Sequence, residues 1–272
     1  MNELNQQWVP EGVEKEKSSA ARIYDYLLGG FHNFQVDRQA GDVLLTINPH
    51  AKQVTTACRA FLRRVVRYML SEGIHQFLDI GSGIPTVGNV HEIAQEKDAT
   101  NRVVYVDIDP VAVAHSKAIL EGNQLAVAIK GDIQEPEKIL ENEEVKKTID
   151  FEKPIGLLLL TMLHYVMDDD VLNSVLGRLF NCLPSGSMIA IAHSTTENAP
   201  EDLKHELDNL ANKLGIAIHY RDLRAVEMFF DPLELVEPGV VFIPSWYPES
   251  TADILYDHPE RALSYGGVAI KK

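Results

Sequence analysis

The stretch Phe77-Leu78-Asp79-Ile80-Gly81-Ser82-Gly83-Ile84-Pro85-Thr86 decides the fold of this chain. An apolar run from Phe77 to Ile80 meets a Gly-Ser-Gly turn, and a helical pattern follows. That order of residues predicts a buried strand, a tight turn and a helix. Neither Gly81 nor Gly83 carries a Cβ, so the backbone there can approach a bound nucleoside closely. The next apolar run, Val103-Val104-Tyr105-Val106, ends in Asp107, 24 residues after Gly83. A carboxylate at that point is placed to accept both hydroxyls of a ribose. The plainer alternative is a helix cap before Pro110, a role that Asp109 fits better.

Working outward, strands and helices alternate, which predicts an α/β fold with a parallel sheet covered on both faces. Strands are expected near 76–80, 102–107, 125–129, 155–161 and 187–192, with helices near 87–97, 110–121, 136–141, 169–182 and 200–214. Gly156-Leu157-Leu158-Leu159-Leu160 is apolar throughout, as a strand buried on both faces should be. After residue 215 the pattern changes to a helix near 222–230, apolar runs at 233–236 and 240–243, and a final segment at 264–270. These late segments fit an antiparallel pairing at the sheet edge. Ahead of the sheet, helices are expected over 20–28, over 37–45, and from Thr55 or Thr56 to about Ser71. Ser18 or Ser19 would cap the first. The chain therefore divides into a loose tail (1–17), a helical extension (18–73) and a core (74–272).

Bulk properties narrow the function. With 272 residues and 45% hydrophobic content the chain can bury a sizeable core. A net charge of −15 argues against nucleic acid as a partner, because tracking phosphates requires net Lys and Arg. One basic cluster exists, Arg59, Arg63, Arg64 and Arg67, of which Arg59, Arg63 and Arg67 share a helical face. It is either a solvated surface or a contact for an anion or carboxylate. Cys58 and Cys182 read as buried free thiols in a reducing compartment. Residues 1–17 are polar and charged, without a secretory pattern, and the longest apolar run, 155–163, is too short to span a bilayer. A cytoplasmic protein with neither a membrane partner nor a metal site is expected.

The turn also discriminates between nucleosides. A dinucleotide fingerprint requires a third Gly or Ala three residues after Gly83. Thr86 stands there, and Gly88 comes two residues too late. The loop, with Pro85 inside it, suits a nucleoside without a pyrophosphate. S-adenosylmethionine (SAM) is the leading candidate and NAD the runner-up.

Several separate motifs carry a resemblance. They are Ala21-Arg22-Ile23-Tyr24-Asp25-Tyr26-Leu27-Leu28-Gly29-Gly30 with Asn33 and Asp37-Arg38; Arg59-Ala60-Phe61-Leu62-Arg63-Arg64; the Phe77–Thr86 stretch with Asn89-Val90-His91-Glu92; and Val104-Tyr105-Val106-Asp107-Ile108-Asp109-Pro110. Leu163-His164-Tyr165-Val166, His193-Ser194 and Val236-Glu237-Pro238-Gly239-Val240 leading to Trp246 complete the set. The core resembles class I SAM-dependent methyltransferases, and the chain from about residue 20 onward is similar to a bacterial S-adenosyl methyltransferase family whose substrates are mostly unassigned. The resemblance implies a Rossmann-like sheet of seven strands, the last one antiparallel, and SAM as cofactor.

It also implies roles. Gly81, Ser82 and Gly83 would wrap the methionine and ribose end of SAM. Asp79 would organise that turn or reach the ammonium through water, with a cap on backbone amides as its alternative. Asp107 would take the ribose and Ile108 would pack on the adenine. Asp132 would accept from the adenine amino group and the Ile133 amide would donate to a ring nitrogen; the alternative for Asp132 is a turn residue after Gly131. Thr161 and Met162 would line the pocket.

Methyl transfer is an in-line displacement, and positioning alone can contribute up to ~7–11 kcal/mol. A base is needed only when the acceptor must lose a proton. His164 is the candidate for that role, with a structural hydrogen-bonding residue as its alternative; His193 is weaker. Tyr24, Phe31 and Asn33 are expected to form a lid over SAM or the acceptor. The acceptor is expected to be a small molecule. A SAM-binding protein without catalysis and an NAD-dependent oxidoreductase are the alternatives.

Overall fold

The computed structural model describes residue 10, residues 13–85 and residues 88–272. Gln76–Ile80 (β1), Arg102–Asp107 (β2), Ala126–Lys130 (β3), Gly156–Leu160 (β4) and Met188–Ser194 (β5) lie parallel in the order β3-β2-β1-β4-β5. Each falls within two residues of its expected place. Side chains alternate between two apolar layers, as a pleated strand requires. Leu78, Val104, Leu157 and Leu159 enter one, while Phe77, Val103, Tyr105 and Leu158 enter the other. Each fully buried large side chain contributes about 1.5–3 kcal/mol.

Ser264–Ile270 (β8) runs antiparallel to β5, with Ile191 opposite Gly267. It is not the edge of the sheet. Glu234–Leu235 (β6) and Val241–Phe242 (β7) both pair with its far side. The edge strand is interrupted between them by Pro238, which has no N–H for the ladder, and by Gly239 at φ 84°. The seven expected strands are therefore eight, because the edge comes in two pieces.

Three helices precede the sheet: Ala20–Leu27 (α1), Gln35–Ile47 (α2) and Ala51–Ser71 (α3). The packing does not divide at residue 73. Phe61, Val65, Val66 and Met69 of α3 are fully buried against Phe77, Val103, Leu158 and Trp246. Buried Arg64 donates to the carbonyls of Trp246 (2.8 Å) and Ile243 (2.7 Å). Thus α3 belongs to the core, and α1 and α2 form the added layer. The remaining helices are Val90–Lys97 (α4), Pro110–Ile119 (α5), Pro136–Leu140 (α6), Glu143–Thr148 (α7), Asp169–Cys182 (α8), Glu201–Leu214 (α9) and Leu223–Met228 (α10).

The sequence reading omits α7, whose six residues are too short to show a period. Helix α4 starts at Val90 rather than 87, because Glu92 accepts from the amides of Gly88 and Asn89 (both 2.8 Å). Cys58 is buried as expected, but Cys182 is exposed, in the last turn of α8 beyond its buried stripe. Ile23, Leu27, Ala40 and Ala51 of the first three helices pack with Leu214 and Ile216 at the end of α9. Most of the expected tail lies outside the described residues, though Val13 packs beside Ile84, Val111 and Ala112. Among the described residues no helix is long and apolar enough to cross a membrane.

Candidate functional site

The carboxyl ends of β1 to β4 open into a cavity of about 490 Å³. Its floor is built from residues that directly follow those strands: 81–84, 107–109, 131–134 and 161–162. This is where an open parallel sheet offers loop amides and helix starts to a ligand. The amides of Gly81 and Ser82 both donate to the Val106 carbonyl (2.8 and 3.1 Å), folding the turn over β2. Gly81 has φ 74°, and a Cβ on it would stand 2.6 Å from Met162 Cγ. Bare backbone is required there. Thr86, which separates the two nucleoside readings, lies outside the described residues.

Acidic groups dominate the lining. Asp107 Oδ2 accepts from the Gly83 amide (2.7 Å) and Oδ1 from the Asp109 amide (2.8 Å), so one side chain joins the glycine turn to the end of β2. Each oxygen retains a lone pair for a ligand. Burial pushes its carboxyl up to about 6, against the pull of those amides. Asp79 is 4% exposed, and among the described residues nothing donates a hydrogen bond to it. The amide-capping role considered for it is filled by Asp107 and by Asp109, which accepts from Val111 at the start of α5 (2.8 Å). Burial pushes the Asp79 carboxyl up to about 7; the Arg59 guanidinium lowers it and Asp107 raises it further.

Asp132 makes the turn considered for it and also stands on the cavity wall. Its Oδ1 accepts from the Gln134 amide (2.9 Å). Ser82, Gly83, Ile133, Thr161 and Met162 line it as well, together with Ile108, which is 60% exposed. Thr161 sits at φ 54°, a left-handed conformation that a β-branched residue rarely adopts.

The first helix reaches this cavity through a buried ionic tie. Asp37 is fully buried and accepts from the Ser19 amide (3.0 Å), the Phe34 amide (2.8 Å) and Arg22 Nε (2.9 Å). Arg22 also reaches Asp109 (3.4 Å), and the Ser19 hydroxyl donates to the same carboxylate instead of capping its own helix. Tyr24, Ala20 and Ala21 are thereby held on the cavity wall. The Tyr24 hydroxyl donates to the Thr55 carbonyl (3.1 Å).

Two expected lid residues lie elsewhere. Asn33 is off the wall and buried in the turn after α1, donating to Asp25 (2.8 Å) and to the Gly30 carbonyl (3.0 Å). That turn is tight: a Cβ on Gly30 would collide with the Asp25 carboxylate, and this packing consumes the Asn33 amide. Phe31 is 87% exposed and is not on the wall of this cavity.

His164 is also off the wall of the large cavity. It follows β4 in a short 3-10 turn, 4% exposed, and lines a second cavity of about 220 Å³. Among the described residues its Nδ1 has no hydrogen-bond partner, and burial, reinforced by His193 and Arg221, pushes its pKa well below the usual imidazole value. His193 is fully engaged. Arg221 only donates, so its contact with Nε2 (2.9 Å) places the His193 proton on Nδ1, which donates to the Ser194 carbonyl (2.8 Å). Burial pushes that ring down to about 4. His193 is a structural group.

Other lining residues stand out only in three dimensions. Arg59 lines the cavity and donates to the Gly88 carbonyl (2.9 Å) and to Asn89 (3.2 Å). The basic cluster is therefore split: Arg63 and Arg67 pair with Glu249 at the surface, Arg64 is buried, and Arg59 faces the site. Cys58 and Leu62, one helical turn apart on α3, join it, and that spacing was the available signal. Tyr165 and residues 215–217 after α9 also contribute.

Comparison with known proteins accords with this geometry. A family model described as S-adenosyl methyltransferase matches residues 6–272. A DUF574 family protein from Streptomyces avermitilis is 35% identical, with 95% of this chain and 99% of that one covered, at a TM-score of 0.89. A candidate methyltransferase from Thermobifida fusca is also 35% identical, with 98% of this chain and 99% of that one covered, at a TM-score of 0.89. A comparison with curated proteins returns no match. With nearly its whole length matched, the chain belongs to the S-adenosyl methyltransferase family.

Proposed function

We propose that this SAM-dependent methyltransferase holds its cofactor in the large cavity and acts on a small-molecule acceptor in the cytoplasm. One observation carries the assignment of the cavity. Asp79 and Asp107 are two buried carboxylates, raised to about 7 and about 6, with Asp109 and Asp132 beside them and Arg59 as the cation on the wall. A pocket with this charge balance is completed by a ligand bearing positive charge and ribose hydroxyls, and SAM carries an ammonium, a sulfonium and a ribose. The pyrophosphate of NAD would meet these carboxylates at the glycine turn, which like-charge repulsion opposes.

In this reading Asp107 uses its free lone pairs for the ribose while its other contacts keep the turn in place. Gly81, Ser82 and Gly83 present backbone to the methionyl end, Asp79 takes the ammonium, and Arg59 takes the carboxylate. Exposed Ile108 is covered by the adenine, whose amino group and ring nitrogen meet Asp132 and the Ile133 amide. Thr161, Met162 and Tyr24 close the remaining side. When bound, SAM supplies a methyl carbon on a sulfonium leaving group that departs without protonation. The chain's own contribution is to align the acceptor and exclude water, and effective positioning is worth several kcal/mol. Neutral His164 is the group available to take a proton from an acceptor that must lose one. An exposed, unpaired Cys182 suits the reducing cytoplasm.

Calorimetry with S-adenosylhomocysteine (SAH), the demethylated product, and with NAD tests the site. SAH is expected to bind and NAD to give no heat. Binding of NAD in preference to SAH would overturn the assignment.

A further inference from the structure

The second cavity shares Ala20, Tyr24, Cys58, Thr161, Tyr165 and Ile216 with the first, so the two meet along a common wall. Much of its remaining wall comes from four helices: Ile23 and Leu27 of α1, Leu44 of α2, Val54 of α3, and Leu207 and Leu210 of α9 face it. Among the described residues no Asp, Glu, Lys or Arg lines it. The contrast with the neighbouring cavity, ringed by carboxylates, is a difference in chemistry between two chambers of one site.

We propose that this second chamber is the acceptor site and that it takes an uncharged, mainly apolar small molecule whose one nucleophilic group points toward the shared wall. The inference rests on placing SAM in the first chamber. An ionised acceptor would lose hydration on entry and find no countercharge among the described lining residues, which disfavours it against a neutral one. A neutral ring or alkyl body instead gains from contact with Ile23, Leu27, Val54, Leu207 and Leu210. Helices α1 and α9 line the chamber, and the tie from Arg22 to Asp37 and Asp109 holds α1 against it.

His164 supplies the second observation. It lies on the chamber wall, 4% exposed, and its Nδ1 has no partner among the described residues, where a buried polar atom ordinarily has one. An acceptor hydroxyl, thiol or amine gives that nitrogen its missing hydrogen bond. As the acceptor atom bonds to the methyl carbon, the carbon–sulfur bond breaks with its electron pair left on sulfur. The proton released by the acceptor passes to the neutral His164 ring and then to solvent. Thr161 lines both chambers and so stands where they meet.

The test uses the full chain saturated with SAH and two naphthalene probes of similar size, 2-naphthol (neutral at pH 7) and 2-naphthoate (anionic). Calorimetry reads their binding without any turnover. The neutral probe is expected to bind at least tenfold more tightly than the anionic one. Ala211→Phe and, separately, Leu44→Trp fill the chamber from α9 and α2. Each is expected to weaken 2-naphthol at least tenfold and to leave SAH affinity within threefold, which also shows that the variant is folded. SAH binding with no preference for the neutral probe, or 2-naphthol binding untouched by both fillings, would overturn the chamber assignment alone. Failure of SAH to bind the unaltered protein would overturn the cofactor reading and the acceptor role with it.

Discussion

Asp79→Asn removes one ionisable carboxyl from the base of the cofactor cavity, and the expected effects on stability and binding have opposite signs. In the folded, ligand-free chain the Asp79 carboxyl ionises at about 7, against about 3.9 for an unfolded aspartate. Between those values the folded state holds a proton that the unfolded state has lost. Stability is therefore greatest below about pH 4 and falls as pH rises through the folded value. Each tenfold of ionisation corresponds to about 1.4 kcal/mol, so above pH 7 the ionised carboxylate weakens the empty fold by about 2–4 kcal/mol. The amide has the same shape and no charge, and its own buried polar atoms cost ~1 kcal/mol. The variant should thus be about 1–3 kcal/mol more stable than the parent at pH 8 and within about 1 kcal/mol of it at pH 4. Urea unfolding of both ligand-free proteins at pH 4, 6 and 8 reads this gap directly; slopes from the histidines largely cancel in the comparison, and Asp107, relieved of a neighbouring charge, shifts the gap in the same direction. Binding should move the other way: loss of a charge-assisted contact of ~1.5–3 kcal/mol weakens SAH roughly 10–100-fold. A stability gap that does not change with pH, or a variant less stable than the parent at pH 8, would refute the electrostatic argument. Unchanged SAH affinity would refute the role given to Asp79.

Four further outcomes are expected. Asp107→Ala should weaken SAH on the order of 100-fold or more by calorimetry, because two charge-assisted hydrogen bonds of ~1.5–3 kcal/mol each are lost; binding within threefold of the parent would contradict the ribose contact. Gly81→Ala should destabilise the chain by about 1–2 kcal/mol from its backbone conformation alone, read by thermal unfolding, with further loss from pushing Met162 aside. Arg22→Met leaves Asp37 buried and uncompensated, so chemical unfolding should show a loss of about 3–5 kcal/mol. His164→Gln should keep SAH affinity within threefold, since His164 faces the other chamber; a tenfold loss would put it in the cofactor site.

The sheet and the floor of the large cavity were legible in the sequence because both are written in contiguous residues. Apolar runs within 76–80 and 102–107, a glycine turn and an acid at the next strand end depend on local backbone chemistry, and they locate Gly81, Ser82, Gly83, Asp107 and Ile108 together. The antiparallel ending was legible for the same reason, although the split of its edge at Pro238 and Gly239 was not.

Other features depend on side chains meeting across long stretches of chain, which no local pattern records. Arg22 finds Asp109 across 87 residues, and Arg64 finds the Trp246 carbonyl across 182. Asn33 belongs to a conspicuous motif, yet tertiary packing spends its amide on Asp25 and Gly30 rather than on a ligand. His164 follows β4 as the sequence implies, but only the docking of α1, α2, α3 and α9 gives it an apolar chamber instead of a place beside the carboxylates. Local sequence determined the glycine turn and the acid beside it, because backbone shape is set within a few residues. The second, uncharged cavity was decided by the tertiary fold, because burial is a property of how distant surfaces close on one another.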